Sequence, residues 1–113
     1  MSLPQPSRGG TGEHAQVFAA LGDETRLLLV SALVAHSPRS ISQLAHGSRL
    51  TRQAITKHLR VLEAAGIVAS LRVGRESQFQ FRPEPLKDVQ SYLAHVSGQW
   101  DEALARLKAF VED

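Results

Sequence analysis

The stretch from Leu50 to Val68, LTRQAITKHLRVLEAAGIV, restricts the possible folds of this chain more than any other. Wound as a helix at about 100° per residue, it places Leu59 and Leu62 within roughly 40° of Ile55, a stripe that must face a core. Gln53, Thr56, Lys57 and Arg60 fall on the other side, between roughly 100° and 200° from Ile55. An ordinary solvated face would mix acids among these bases for pairing one turn apart, yet the nearest acid, Glu63, lies at the edge of the arc. The segment also carries its own boundaries. Thr51 is a natural N-cap, Leu50 before it can staple to Ile55, and Gly66 suits the residue after the last turn.

The charge is uneven along the chain. Arg39 to Glu76 holds seven bases (Arg39, Arg49, Arg52, Lys57, Arg60, Arg72, Arg75) against two acids, whereas Pro83 to Asp113 holds three bases against six acids. A basic middle third flanked by acidic or neutral ends is how a polyanion-binding surface reads when the remainder must stay soluble. At 113 residues and 42% hydrophobic content the chain is one small domain, near the size at which a second copy helps complete the core. No apolar run approaches the roughly 18 residues of a membrane span, and MSLPQPSRGGTG lacks the apolar stretch of a signal peptide. A cytoplasmic protein without membrane contact is expected. The chain has no cysteine, which excludes disulfides, thiolate metal sites and cysteine redox chemistry.

Residues 1–12 are rich in Pro, Gly and Ser and predict a disordered tail. The glycines of RGGTG form no phosphate-binding pattern and no strand precedes them. A short helix follows from Glu13 to Leu21, and a second restarts behind Asp23 as N-cap. SPRS breaks the chain. Ser40 with Gln43 then forms a capping box for ISQLAHG, whose apolar side is Ile41, Leu44 and Ala45 and which Gly47 ends. After the Leu50–Val68 stretch, IVASLRV and SQFQFR alternate as two strands around GRE, a β-hairpin. A long helix of about residues 85–111, entered through Pro85, closes the chain.

Two short helices joined by a tight turn, the second with a donor-rich face, describe a helix-turn-helix, and the hairpin makes it winged. The expected fold is mainly α with a small β-hairpin: a winged helix-turn-helix over residues 13–113, of about five helices and a two-stranded wing. In such an arrangement Gln53 can bond adenine bidentately and Thr56 can touch a thymine methyl. Lys57 and Arg60 chiefly hold phosphates. Arg75 at the hairpin tip, with Arg72 behind it, reaches a minor groove or phosphate, and Arg52 completes the expected duplex-DNA surface.

FAALGDETRLLLVSALV, ISQLA, LTRQAITKHLRVLEAAGIV and VGRESQFQF together resemble the ArsR/SmtB family of winged-helix repressors, over nearly the whole length from His14 onward. The resemblance implies a homodimeric, sequence-specific DNA-binding repressor acting on a palindromic operator. His58 matches a usual histidine of the pattern; it lies roughly 60° from the core centre, where packing or phosphate contact is expected in preference to proton chemistry. The family's metal sensors carry a Cys-x-Cys pair where this chain has Ser40, Ile41 and Ser42, and hydroxyls are poor ligands for soft metals. Its second site, on the terminal helix, is also broken: Asp88 is followed by Gln90, and Asp101 and Leu104 stand at the later positions. No metal and no cofactor are expected. His14, His95 and Glu102 remain as a conceivable site across a dimer, so a repressor answering to a metal or small molecule without cysteine stays open; the effector is not legible.

On the terminal helix Leu86, Leu93, Trp100 and Leu107 recur every seven residues, as do Val89, Val96, Ala103 and Phe110 between them. A heptad held this long favours a partner helix, and these eight residues are the expected dimer seam, although Leu104 and Val111 widen the stripe towards the helix's own domain. Gly98 inside it marks either a kink or a close approach of two helices. An enzyme is not expected, since nucleophile elbows and metalloprotease motifs are missing. A winged helix that binds RNA or another protein is the remaining alternative, and the scarcity of exposed-type aromatics argues against RNA.

Overall fold

Three short polar side chains decide where helices begin. In the computed structural model, which describes residues 10–112, the Asp23 carboxylate accepts the Arg26 backbone N–H at 3.0 Å and starts α2 (Glu24–Ala35). Ser40 and Gln43 form the expected reciprocal box, at 3.1 and 2.9 Å, and start α3 (Ile41–Ala45). Thr51 accepts from Ala54 N–H at 3.1 Å and starts α4 (Arg52–Ala64). Each cap satisfies an N–H that the helix itself cannot reach. The first helix, α1 (Thr11–Leu21), begins two residues before the expected Glu13; residues 1–9 of the expected tail lie outside the described residues.

The end of α4 is equally defined. Gly66, at φ 78°, donates to the Glu63 carbonyl at 2.9 Å while Ile67 donates to the Leu62 carbonyl at 3.0 Å. This is the Schellman pattern, which needs a left-handed residue at that position. It turns the chain so that Ile67 and Val68 enter the core directly. The strands β2 (Val68–Val73) and β3 (Glu76–Phe81) then pair from Val68↔Phe81 to Val73↔Glu76. Gly74 and Arg75 form the turn; only the glycine has positive φ, as a type II′ hairpin requires.

The sheet has one strand more than expected. Arg39–Ser40, read from the sequence as part of a chain break, forms β1 and pairs antiparallel with β3 at Arg39↔Phe79 and Ser40↔Gln78, so the order is β1-β3-β2. Two residues carry no alternation to detect; their strand state is conferred by a partner almost forty positions away. Pairing on both sides makes β3 central, and Phe79 is fully buried under the helices.

The core is built around α4. Ile55, Leu59 and Leu62, the predicted stripe, are all completely buried, and Val17 and Ala20 of α1, Leu29, Val30 and Leu33 of α2, Leu44 of α3, and Val89 are buried in the same core. Burial of one such Leu or Ile contributes about 1.5–3 kcal/mol. Val89 belongs to α5 (Glu84–Glu112), 29 residues and about 43 Å long at 1.5 Å per residue. The start of α5 packs on α1 through Leu86, Val89 and the ring of Tyr92, whose centroid is 4.7 Å from that of His14 and 6.5 Å from that of Phe18. Beyond Tyr92 it runs unbroken through Gly98, where an added Cβ would meet nothing within 4 Å.

Two carboxylates tie these elements together. Asp23 is held below the ordinary carboxylate value chiefly by the Arg26 backbone N–H, with the charge of Arg26 adding to the effect. Glu63 is lowered first by the Ser70 hydroxyl of β2 and then by Arg60. Both therefore bind protons less readily folded than unfolded, so their stabilisation is present above the ordinary range near pH 4 and is lost as pH falls through the lowered folded values. Urea unfolding at pH 7, 5 and 3 should show little change over the first interval and a marked loss over the second. An Asp23→Asn, Glu63→Gln double variant should lose less between pH 5 and 3; an acid loss equal to the parent's would assign the effect to other carboxyls.

Candidate nucleic-acid interface

With its apolar stripe fully buried, α4 has no rotational freedom left, and its polar arc is held at the surface. Arg52, Gln53, Lys57 and Arg60 are exposed and Thr56 is half-buried. Arg52, Gln53, Thr56 and Lys57 line one open groove, closed on the far side by Ile41 of α3. The Thr56 hydroxyl donates to the Arg52 carbonyl one turn back at 2.7 Å. Its proton is thereby committed, leaving the methyl group and an acceptor lone pair for an incoming group.

Arg52 also lines a second hollow, between α3, the start of α4 and the wing, which it shares with Arg75 at the hairpin tip and with Ser42, Glu76 and Ser77. Helix and wing thus place two guanidinium groups around one depression. Arg60 and Arg72 lie outside both hollows. Arg72 is exposed on the face of β2 that carries Ser70, two residues away. Arg60 is drawn towards the sheet: its Nη1 donates to Glu63 Oε1 at 2.8 Å and its guanidinium carbon stands 5.9 Å from the centroid of the Phe79 ring. Glu63 Oε2 in turn accepts from the Ser70 hydroxyl at 2.6 Å and from its backbone N–H at 3.2 Å. One carboxylate therefore clips the helix to the wing.

His58 packs against α2. Its Nδ1 is 3.2 Å from Arg26 Nη1 and 3.8 Å from Asp23 Oδ2. Since arginine only donates, Nδ1 must accept and the ring proton sits on Nε2 in this contact. The same guanidinium donates through Nε to the Ala20 carbonyl at 2.6 Å and through Nη2 to the Ala19 carbonyl at 3.3 Å. A cation at the last carbonyls of α1 favours that helix end, and it joins α1, α2 and α4. Packing, one of the roles expected of His58, is where the ring is found.

Sequence reasoning missed Arg26, Ser42 and Ser77. Arg26 is a single base in an apolar helix and carries no local signal. The serines become neighbours of Arg52 and Arg75 only through the β1–β3 pairing. The Arg60–Glu63 pair did carry a signal, the i, i+3 spacing. Of the histidine set weighed for metal, His14 stacks on Tyr92 while His95 and Glu102 are exposed along α5. Among the described residues no three His, Cys, Asp or Glu side chains gather as a metal site.

Comparison with known proteins agrees with this fold. Residues 23–70, from the N-cap of α2 into β2, match the family model described as bacterial regulatory protein, arsR family. An uncharacterized HTH-type transcriptional regulator of Bacillus subtilis, YuzN, is 39% identical over 84 residues, 69% of this chain and 91% of that protein. A protein of Synechocystis named a transcriptional repressor SmtB homolog is 38% identical over 66% of this chain and 52% of its own length. Among solved structures, an ArsR-like transcriptional regulator from Rhodococcus superposes with a TM-score of 0.80 at 39% identity, covering 88% of this chain and 92% of that one. The chain belongs to the arsR family of bacterial regulatory proteins, and it is a winged helix-turn-helix DNA-binding transcriptional regulator rather than an enzyme.

Proposed function

We propose that the protein acts in the cytoplasm as a homodimeric repressor that reads a palindromic operator, with α4 in the major groove and the wing alongside. The observation that carries this reading is the shared groove of Arg52, Gln53, Thr56 and Lys57 on a helix whose opposite side is wholly buried. Gln53 and Thr56 are suited to base edges, Gln through its amide and Thr through its methyl. Lys57, which makes no ion pair among the described residues, and the Arg52–Arg75 hollow are suited to phosphates, with Arg72 behind them. Arg60, clipped to Glu63, holds helix and wing in register and meets phosphate from that position. The acidic α5 stays away from the duplex. Repression is supported by the family and by the name of the Synechocystis relative.

The dimer reading rests on α5. Of its heptad residues Val89 is buried and Leu86 packs against the core, but Leu93, Val96, Trp100, Leu107 and Phe110 are exposed within one protomer, Trp100 at 64% and Phe110 at 80%. Ala103 is half-buried between them. A contiguous apolar stripe of this size on a free helix calls for a cover. The stripe keeps its seven-residue period to the end of the helix, which suits a second α5, and Gly98 leaves room for close approach.

Gln53→Ala should relax preference at one base position, at a cost of about 1–3 kcal/mol for the correct operator. Lys57→Ala should weaken all duplexes alike and reduce the slope of log affinity against log salt by about one unit for each phosphate no longer neutralised. Gel-shift titrations against a panel of single-base operator variants at two salt concentrations separate the two. Equal loss of base preference in both variants would contradict this division.

Trp100→Ala should leave the protomer folded and weaken dimerisation by about 3–5 kcal/mol, the usual cost of truncating a large aromatic side chain in a packed seam. Because two recognition helices must sit about one DNA turn, roughly 34–36 Å, apart, operator binding should fall to that of a half-site and become insensitive to half-site spacing. Sedimentation equilibrium together with spacing-variant operators reads both effects. A variant that remains fully dimeric and operator-specific would move the dimer to another surface.

A further inference from the structure

A third hollow shares no lining residue with the other two. It has a volume of about 570 Å³ and is walled by α2, the first residue of β1, α3, the turn from Gly47 to Leu50 and the first buried residue of α4. Its lining is apolar where it is deepest, at Leu29, Leu44 and Ile55, and apolar again at its rim, where Leu28 is 65% exposed and Leu50 37%. The size is that of a small-molecule site, which typically spans about 300–1,000 Å³ and combines apolar walls with a few polar groups.

The polar group here is unusual. Arg39 lines this hollow, its backbone fixed opposite Phe79 in the sheet. Its Nε is shut off from solvent and has no hydrogen-bond partner, and the side chain makes no ion pair among the described residues. A guanidinium stays protonated, so a buried N–H of this kind is an unmet donor on a permanent cation. A carboxylate in the hollow supplies the missing counter-charge and, with the guanidinium turned so that its fork faces the ligand, the missing acceptor as well. The other charged and titratable groups of the lining are Glu24 on α2 and His46 after α3, both exposed. Glu24 opposes a second negative charge on the ligand, so a monoanion fits better than a dianion.

We infer that this hollow binds a small amphipathic monocarboxylate, its carboxylate on Arg39 and its apolar body against Leu28, Leu44 and Leu50, and that occupancy changes operator affinity. The coupling follows from what the hollow separates. On one side is α2, part of the scaffold; on the other are the turn and Ile55, which fix where α4 emerges. A ligand that wedges between them biases the position of the reading helix, and the differential affinity for the two positions is the coupling. This second half rests on the DNA-binding reading, whereas binding of the acid does not.

The test uses octanoate and phenylacetate as probes, with octanol as the uncharged control, on the whole protein. Calorimetric titration without DNA should give saturable millimolar or tighter binding of an acid and at least ten-fold weaker binding of octanol. Arg39→Met, which keeps the aliphatic stem and the strand pairing, should remove that preference for the acid. Leu28→Glu, at an exposed position where folding is undisturbed, should abolish binding of both. No binding of either acid, octanol binding as strong as the acid, or an Arg39→Met variant that binds acid unchanged would overturn the site. So would self-association through this face that Leu28→Glu abolishes in the absence of any bound acid. Saturating acid should shift operator affinity in gel-shift titrations by five-fold or more, and Arg39→Met should block the shift. Acid binding with unaltered operator affinity would overturn the coupling, and failure to bind any duplex at all would overturn the DNA-binding reading while leaving the calorimetric result standing.

Discussion

The complete burial of Ile55, Leu59 and Leu62 is the constraint on which the rest of the structure depends. All three lie on one side of α4, and α1, α2, α3 and the first strand of the hairpin each pack against that helix. Rotating α4 enough to bring a polar residue inward would expose one of these leucines or the isoleucine, so the direction of the donor-bearing arc is fixed by hydrophobic burial on its other side. The surface proposed to read DNA is in this sense set by the core. Nothing on the exposed arc needs to hold itself in place.

Around that helix, polar contacts lock relative positions that apolar packing alone leaves loose. Arg26 reaches two carbonyls at the end of α1 and the ring of His58, while Asp23 beside it caps α2. Apolar contacts are tolerant of small slides; a guanidinium with three separate acceptors is not. The Schellman turn at Gly66 plays the matching part at the other end of α4, delivering Ile67 and Val68 into the core at a fixed angle. Helix, scaffold and wing are thus registered at both ends.

Much of this fold is encoded locally and is legible in the sequence. The three N-caps, the box of Ser40 and Gln43, the stop at Gly66, the apolar stripe of α4 and the hairpin all rest on neighbours within a few residues, where propensity and spacing act directly. The short strand Arg39–Ser40 is not legible, because two residues have no period and their partner is distant in the chain. Arg26 is hidden for a similar reason: its acceptors are backbone carbonyls on another helix and a ring on a third. For the interface, the sequence indicates which residues lie on one arc, but not that Arg52 belongs to two hollows or that Arg60 turns away from its neighbours towards Phe79.

The clip between Arg60 and Glu63 bears on how the protein meets a polyelectrolyte. Arg52, Lys57, Arg72 and Arg75 have no carboxylate partner among the described residues; their neutralisation at a duplex would come from phosphate alone and would release condensed ions into solution. Arg60 arrives already screened by an internal anion, and that anion remains held by Ser70 whatever the arginine does. Contact of Arg60 with phosphate is therefore an exchange of one anion for another. In the proposed complex such an exchange would add orientation to the bound state while contributing less ion release than the unpaired bases, so the engagement of Arg60 would depend less on salt than theirs.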